Sequence, residues 1–435
     1  MSFLLLAFSI LSFVVANPKK SDNAQVNSRH GNTLPTNQRT KEFYSGTTDA
    51  NTEISGTPNV HLLHKDILKE HRAPPSLPHE LIFVVIRKNM NELTRILHDI
   101  SDPISPNYGN HLTRQDISDL TSNSDSCEEV AAYLLDSGAT VISKDISLGL
   151  ITARGSIDLW ESILKTKFYL YSLRRKPFDD VGAKNWAQTD EKFVRAEKYF
   201  VPTNLHGHVA SILNILDMPH IKSRWMRQPS IANNENLKRQ LYTVEGFVTP
   251  SVLNKAYNID DNSGHPRATQ AVFSGPIEVF SPGDLDSFQK ITRVQVLPLN
   301  RTIGAPSTIR TAAYCRNQDY TICTRSNTNV EYIMAIAATQ TWRVSLDNNN
   351  VGTWLVPFLT KPPLVISINY NIPEFAADPS QRNLFTEHAL MLGAMGVTIL
   401  VQSGDVGVGG DECGYTPSFP ASSPYVTSIG ATQVF

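Results

Sequence analysis

The stretch Ser403-Gly404-Asp405 places a carboxylate after an apolar run, Val397 to Val401, and before the glycine-rich loop Val406 to Gly410. Such a run predicts a buried strand, and parallel α/β sheets place their chemistry at the carboxyl ends of their strands. The residue type and its position therefore make Asp405 a candidate nucleophile, base or metal ligand.

Length and composition predict a globular protein that is long enough for two or three domains. The chain has 435 residues, of which 41% are hydrophobic and 18% are charged. Its net charge is only -2, which favours neither a nucleic acid nor an anionic membrane as a partner.

The first residues predict a signal peptide over residues 1–16. Phe3 to Val15 is one apolar run, shorter than the roughly 20 residues that a membrane-spanning helix needs, and Val14-Val15-Ala16 ends it with small residues. No later segment reaches about 18 uninterrupted apolar residues. We therefore expect a protein of the secretory pathway without a membrane span.

Cysteine content and one short motif fit an oxidising compartment. Four cysteines are too few for a scaffold built on disulfides, but some of them can pair there. Cys315 and Cys323 close a short loop and are the first candidates for a pair, with free thiols as the alternative. Asn300-Arg301-Thr302 matches the weak acceptor motif for N-glycosylation.

The amino-terminal half predicts one α+β domain behind a polar segment. Residues 17–55 have few large apolar side chains and are predicted to be disordered. Beyond Leu81, Ser126 is the predicted cap of a helix, and the elements follow the order strand, helix, two strands, helix, strand. This order predicts a ferredoxin-like domain whose closing strand is Phe168 to Tyr171. The predicted strands cover residues 81–86, 140–143, 148–153 and 168–171, and the predicted helices cover 91–100, a segment from 126 that stops at Gly138, and 157–164.

The carboxyl-terminal half predicts a parallel α/β sheet. Thr249-Pro250 is a helix start with a capping residue and a first-turn proline. Further on, strand, helix and strand follow one another at a spacing that favours a right-handed crossover. The predicted strands are at 271–273, 364–368 and 397–401, and the predicted helices are at 282–288, 330–338 and 384–395.

Several motifs follow one another in a fixed order along the chain. They are Ile100-Ser101-Asp102-Pro103-Ile104-Ser105-Pro106-Asn107-Tyr108-Gly109-Asn110-His111-Leu112-Thr113, Val248-Thr249-Pro250-Ser251-Val252-Leu253 with Tyr257-Asn258, Phe280-Ser281-Pro282-Gly283-Asp284-Leu285, Val330-Glu331-Tyr332-Ile333-Met334, Ser403-Gly404-Asp405 and Phe419-Pro420-Ala421-Ser422-Ser423-Pro424-Tyr425-Val426. With these motifs, roughly residues 77 to 435 resemble the sedolisins, or serine-carboxyl peptidases, and within them the tripeptidyl-peptidase I group.

The resemblance implies an activation propeptide followed by a peptidase body with a subtilisin-like parallel α/β sheet. It divides the chain into a propeptide domain at 56–205, a linker or processing segment at 206–248 and a partial peptidase domain at 249–435. Its chemistry implies a serine nucleophile, a glutamate base, an aspartate that orients this base and a second aspartate in the oxyanion hole. A carboxyl group stays a usable base at acidic pH, where histidine would be protonated.

Carried across residue by residue, these roles are only partly filled. The oxyanion aspartate falls on Asp405, whereas the glutamate and aspartate of the base pair fall on Arg325 and Asn329. Arginine remains protonated in proteins and cannot accept the proton of a serine. Glu331 and Asp319 are the nearest carboxylates that could compensate, but Glu331 lies about 200° around the helix from Asn329 and faces away.

The family's serine lies in a Ser-Gly-Thr-Ser stretch that this sequence does not contain, so the nucleophile is expected to be absent. Ser422 and Ser423 are predicted turn residues instead. The family's calcium site is likewise expected only in a full-length member, and no cofactor is expected in this chain. His388 is predicted to be a solvated or capped histidine, and His206 and His208 lack partners at metal-ligand spacing.

These expectations describe a secreted or lysosomal homologue of an acid peptidase with impaired catalysis. Its partners are then a peptide or protein substrate or an active family peptidase. One alternative is an active acid peptidase whose carboxyl part is missing from this sequence and whose base is altered. The other is a non-catalytic protein whose propeptide inhibits or chaperones an active relative.

Overall fold

The computed structural model describes residues 53–55, 67–173, 191–218, 248–259, 264–265, 267–275, 278–304, 320–346, 350–404 and 417–431. The predicted signal peptide, nearly all of the polar segment at 17–55, the candidates Asp405 and Asp319, and Cys315 lie outside these ranges. None of the helices within them is long and apolar enough to cross a membrane.

The described strands form antiparallel sheets in the amino-terminal half of the chain and mainly a parallel sheet in the carboxyl-terminal half. The strands are β1 Glu53–Ser55, β2 Ile67–Arg72, β3 Pro78–Val85, β4 Thr140–Asp145, β5 Leu150–Ser156, β6 Phe168–Leu173, β7 Glu191–Ala196, β8 Lys198–Phe200, β9 Val209–Leu213, β10 Thr269–Ser274, β11 Arg301–Gly304, β12 Gln340–Ser345, β13 Val365–Ile368, β14 Ile372–Pro373, β15 Thr398–Gln402, β16 Ser418–Phe419 and β17 Thr427–Ile429. The helices are α1 Met90–Ser101, α2 Arg114–Thr121, α3 Ser124–Asp136, α4 Ile157–Leu164, α5 Pro250–Tyr257, α6 Pro282–Thr292, α7 Tyr320–Ile336, α8 Val356–Leu359 and α9 Pro379–Ala394.

The amino-terminal unit is built on an antiparallel sheet with the strand order β4-β5-β3-β9. Its strands and the helices α3 and α4 enclose one apolar core, in which Leu81, Phe83 and Trp160 are fully buried. The indole Nε1 of Trp160 donates a 2.9 Å hydrogen bond to the carbonyl oxygen of His79, so the one polar atom of the largest core side chain is satisfied.

The predicted closing strand of the ferredoxin-like domain is not part of the main sheet. The segment Phe168 to Tyr171 is a strand, but β6 pairs with β2 and β7 in a separate three-stranded sheet. The fourth strand of the main sheet is β9, which lies in the segment predicted as linker. An alternating pattern shows that a segment is extended, but long-range packing decides which strand it joins.

Helix starts in this unit follow local hydrogen bonding. Asn123, rather than Ser126, caps α3, because its side chain accepts from the backbone N–H of Ser126. A reciprocal capping box instead lies at the start of α2, where Thr113 and Asp116 bond each other's backbone.

The carboxyl-terminal unit contains a six-stranded parallel sheet with the order β11-β12-β10-β13-β15-β17. Apolar side chains on one face of this sheet pack with α8 and α9, whereas α6 and α7 share a second core with Val272 on the other face. The start of α5 is as predicted, with Thr249 accepting from the N–H of Val252 and Pro250 in the first turn. The sheet and its flanking helices confirm the predicted parallel α/β class.

Helix α9 joins the two units. It packs on the parallel sheet on one side, and Met90 and Leu93 of α1 belong to the same apolar cluster. The backbone N–H of Leu112 donates a 2.9 Å hydrogen bond to the carbonyl oxygen of Ala394 at its end. Because α9 is covered on both sides, it is buried almost all round.

This burial corrects the prediction for His388, which is fully buried rather than solvated. Its Nδ1 lies 3.2 Å from the carbonyl oxygen of Gly352, and loss of solvent, with the nearby Arg87 charge, lowers the pKa of the imidazole to about 3. His388 is therefore a neutral core residue.

Candidate functional site

The residues at the predicted base positions lie on α7, near the carboxyl ends of the parallel strands. Arg325 and Asn329 are one helical turn apart, so their side chains share one side of the helix. The sequence predicted this helix only from residue 330, whereas it begins at Tyr320 and therefore carries both positions.

Arg325 faces a buried carboxylate. Its Nε lies 3.7 Å from Oε1 of Glu278, whose side chain is 3% exposed, while the Arg325 side chain keeps 23% exposure. The other carboxylate oxygen of Glu278 accepts a 3.1 Å hydrogen bond from the backbone N–H of Gly275, just after β10. The carboxylate is therefore held by a cation and a backbone donor.

Tyr370 is a buried aromatic side chain close to this ion pair. It is 3% exposed, and burial raises the pKa of its hydroxyl, with the Glu278 charge adding to the effect and Arg325 opposing it. A Cβ on Gly275 would lie 2.3 Å from the Tyr370 ring, so only glycine permits this approach.

Asn329 is tied to the strand end by an amide pair. Nδ2 of Asn369, the first residue after β13, donates a 2.7 Å hydrogen bond to Oδ1 of Asn329. Both residues are buried, at 1% exposure for Asn329 and 3% for Asn369. Among the described residues, Nδ2 of Asn329 and Oδ1 of Asn369 find no partner, so the pair keeps one donor and one acceptor unused.

A second arginine lies beneath the ion pair and is fully buried. Arg343 on β12 donates from Nε to Oγ of Ser326 at 3.1 Å and from a terminal nitrogen to the carbonyl oxygen of Glu278 at 3.1 Å. Burial lowers the pKa of its guanidinium to about 10, although the Glu278 charge opposes this. Arg343 therefore remains a cation at neutral pH and fixes the Glu278 segment against α7.

The strand register groups polar side chains at this edge of the sheet. Ser274 pairs with Ser345, and Ile368 lies between Phe273 on one side and Val401 on the other. The residues that follow Phe273, Ile368 and Val401 are therefore level with Ser345. This row contains Ser345, Ser274, Asn369 and Gln402, all of them buried. Residues in register on neighbouring parallel strands point to the same side of the sheet. The row therefore lies on the side that α7 covers, as the bonds of Ser274 to Ser326 and of Asn369 to Asn329 show.

The backbone that leads to Asp405 reaches the same edge. The N–H of Ser403 donates to the carbonyl oxygen of Ile429 at 2.9 Å, which continues the pairing of β15 with β17. Gly404 has a φ of +111°, and a Cβ there would lie 2.7 Å from Oγ of Ser418. Asp405 itself lies outside the described residues, so its oxyanion role stays a prediction.

The other candidates take structural places. Glu331 lies on the side of α7 that faces α6, where loss of solvent and the charge of Asp284 raise its pKa to about 8. Ser423 is buried in a turn, as predicted, with its N–H bonded to the carbonyl oxygen of Pro420. Cys323 is disulfide-bonded, and Cys127 is a free, buried thiol.

Histidines 206 and 208 bond within the amino-terminal unit, to the carbonyl oxygen of Val201 and to Oγ of Ser126. In the part of the chain that the structure describes, no group of three or more His, Cys, Asp and Glu side chains could hold a metal ion.

The amino-terminal unit is similar to a known family of domains. Residues 65–218 match the family described as Pro-kumamolisin, activation domain. This match includes β9 and covers the antiparallel sheet described above.

The similarity to curated proteins extends into the parallel sheet. Tripeptidyl-peptidase 1 of Dictyostelium discoideum is 26% identical over 392 residues, which cover 81% of this chain and 61% of that protein. Tripeptidyl-peptidase 1 of Homo sapiens is 27% identical over 384 residues, which cover 83% of this chain and 63% of that protein. The chain is similar to tripeptidyl-peptidase 1 over most of its length. Physarolisin of Physarum polycephalum is 26% identical over 384 residues, which cover 81% of this chain and 59% of that protein.

The chain thus spans about three fifths of the length of these relatives. Among solved structures, Pseudomonas sedolisin (serine-carboxyl proteinase) complexed with two molecules of pseudo-iodotyrostatin is 19% identical. The match covers 40% of this chain and 51% of that chain, with a TM-score of 0.30.

The sequence alone missed three residues that shape the site. Asn369 directly follows the predicted strand at 364–368, so the rule that parallel strands end in functional side chains would have found it. Glu278 and Tyr370 carry no comparable signal, because only folding brings them to Arg325.

Proposed function

We propose that this protein is a serine-carboxyl-peptidase homologue of the tripeptidyl-peptidase type with impaired or lost catalysis. The observation that supports this proposal most directly is the ion pair of Arg325 with Glu278. A base in this position would have to accept a proton from a nucleophile and hold it, and a guanidinium has no lone pair to do so.

The neighbouring position supports the same proposal. Asn329 accepts a hydrogen bond from Asn369 and can orient a partner, but its amide carries no negative charge to stabilise a protonated base. Among the described residues, Glu278 pairs with Arg325, and its carboxylate also accepts from the N–H of Gly275. Using it as the base would require breaking a buried ion pair.

The test is hydrolysis of a fluorogenic amide with a free amino-terminal tripeptide at about pH 4, near the ordinary carboxyl pKa. The protein should be used at the length that its gene encodes, with an active tripeptidyl-peptidase 1 as the positive control. We expect no turnover above that of the heat-denatured protein. Turnover that persists in Arg325→Gln would show that another group serves as the base and would refute the proposal.

A second candidate function is supported by the contact between the activation domain and α9. Arg87 places its 2% exposed side chain against Glu387 of α9 at 3.5 Å and donates to the carbonyl oxygen of Ser147 at 2.9 Å. Met90 and Leu93 add apolar contacts to the same surface. A surface that covers a body helix in this way could also bind the body of an active relative, as an inhibitor or a chaperone.

This second candidate is tested by adding the whole protein to an active tripeptidyl-peptidase 1 and measuring its rate. Inhibition at roughly micromolar concentration, lost in Met90→Asp, would support it. Undiminished activity of the relative at that concentration would count against it.

The remaining expectations belong with this proposal. A subtilisin-like arrangement of the body, passage through the secretory pathway to the lysosome or the exterior, and a calcium site in a longer chain are each proposed from the resemblance. A processing segment between the two units is proposed for residues after Asp217, because β9 pairs within the activation-domain sheet and Arg195 pairs with Asp217 at 3.3 Å.

A further inference from the structure

The segment that begins at Asn300 forms one edge of the parallel sheet. β11 is the first strand in the sheet order, and it pairs on one side with β12. Along the described part of the chain, no strand pairs with its other side. An open strand edge exposes backbone N–H and C=O groups to another chain. Proteins protect such edges with charged side chains, β-bulges or covering segments.

Asn300 is held at the start of this edge with its two amide atoms in different environments. Its backbone N–H donates to the carbonyl oxygen of Thr341 at 3.0 Å, and its Oδ1 accepts from the N–H of Thr341 at 2.8 Å. The residue as a whole is exposed. The side-chain oxygen is thus bonded to the sheet, and Nδ2 is the atom that remains for solvent or for modification.

The residues that follow complete an accessible acceptor motif. Arg301 lays its guanidinium over the Trp342 ring, 5.3 Å from its centroid, and fixes the start of the strand. Thr302 is exposed. Asn300-Arg301-Thr302 occurs as the only Asn-x-Ser/Thr sequence in the 435 residues.

Apolar side chains are exposed in the stretch that leads to this edge. Ile291 near the end of α6 is 60% exposed, and Val296 in the following loop is 55% exposed. Two large exposed apolar side chains that shortly precede an open edge strand in the chain favour self-association unless something covers them.

We propose that Asn300 carries an N-linked oligosaccharide that covers this edge of the sheet and the exposed loop beside it. The donor is an oligosaccharide on a polyprenyl pyrophosphate. Transfer forms a bond between Nδ2 of Asn300 and C1 of the first sugar and breaks the bond from that carbon to the pyrophosphate oxygen. The polyprenyl pyrophosphate leaves, and one amide proton is released.

The position leaves the candidate functional site open. Asn300 pairs with Thr341 at the amino end of β12, whereas Ser345 at its carboxyl end belongs to the polar row beside α7. Four residues of strand separate the two ends by about 13 Å. A glycan on Asn300 therefore projects from the end of the sheet opposite to Arg325 and Asn329.

The modification is tested by translating the full chain in the presence of microsomes and treating the product with an amidase that removes N-glycans. We expect a mobility shift that the amidase reverses, and conversion of Asn300 to aspartate in the recovered peptide. Asn300→Gln and Thr302→Ala should abolish the shift, while Thr302→Ser, which keeps the motif, should retain it. An unmodified Asn300 in the wild-type product, whether the chain was imported or not, overturns the proposal.

The protective role has its own readout. Secreted Thr302→Ser should elute as the wild-type protein does in size-exclusion chromatography, whereas Thr302→Ala should shift toward larger species or lose secretion. A Thr302→Ala protein that is secreted in equal amount with the same elution would overturn the covering role, even with Asn300 modified in the wild type.

Discussion

The Nε of Arg325 lies 3.7 Å from the Oε1 of Glu278, and this pair joins α7 to the segment after β10. Glu278 also binds the N–H of Gly275, and its carbonyl oxygen accepts from Arg343. The arginine at the predicted base position is therefore part of a local network. A carboxylate at position 325 would lie against the carboxylate of Glu278.

Replacing Arg325 by glutamate is the first test of this relationship. We expect Arg325→Glu to lower the free energy of unfolding by about 1–3 kcal/mol at neutral pH, because Glu278 loses its cation and gains a like charge. The repulsion raises the pKa of the carboxyl pair, so the loss should shrink as the pH falls and a proton binds. Urea unfolding at neutral and acidic pH measures both effects.

The matched control is the double variant Arg325→Glu with Glu278→Gln, which removes the like charge. It should recover part of the lost stability at neutral pH and show a weaker pH dependence. Equal stability of the single and double variants would show that the two side chains do not interact.

The amide pair of Asn369 and Asn329 makes a second prediction. Asn329→Asp keeps the acceptor for Nδ2 of Asn369 and should change the free energy of unfolding by less than about 1.5 kcal/mol, since the Arg325 cation is one turn away. Asn329→Leu has similar volume but leaves that donor buried without a partner, and should cost about 1–3 kcal/mol more. Thermal unfolding of both variants decides this, and an equal loss in the two would contradict the assigned hydrogen bond.

For the ion pair of Arg87 with Glu387, we predict that replacing the arginine costs more stability than replacing the glutamate. Arg87→Ala leaves the Glu387 carboxylate without its cation and removes the bond to Ser147, so we expect a loss of about 3–5 kcal/mol. Glu387→Gln should cost less, because Arg87 keeps its backbone acceptors. Urea unfolding followed by tryptophan fluorescence measures the difference, with Arg87→Lys as a charge-preserving control. A larger loss in Glu387→Gln would reverse our account.

His388 predicts a pH dependence of stability. Its pKa is lowered from 6.5 to about 3 in the folded protein, so the unfolded chain binds the extra proton first as the pH falls between these values. The contribution is therefore fully present above the unfolded pKa and is lost toward acidic pH, by up to about 1.4 kcal/mol per pH unit. The free energy of unfolding of His388→Asn should fall less steeply over the same range, and an unchanged slope would show that another group controls it.

The sequence by itself determined the local structure and the class of the body. The apolar run before Gln402, the start of α5 at Thr249-Pro250 and the α4 segment were all predicted, because periodicity, capping and proline act within a few residues. The residue types at the predicted base positions, Arg325 and Asn329, were also readable, since a motif fixes which positions to inspect.

Only the tertiary structure decided which groups meet. No pattern within the chain pairs Arg325 with Glu278, which lies 47 positions earlier (325 minus 278). The same is true of Asn329 and Asn369, which only the stacking of α7 against the strand ends brings together. It also holds for β9, which takes the place predicted for β6 in the amino-terminal sheet, and for the burial of His388 between the two units. Local sequence sets the conformation of a segment, whereas partners and burial depend on how all segments share one core.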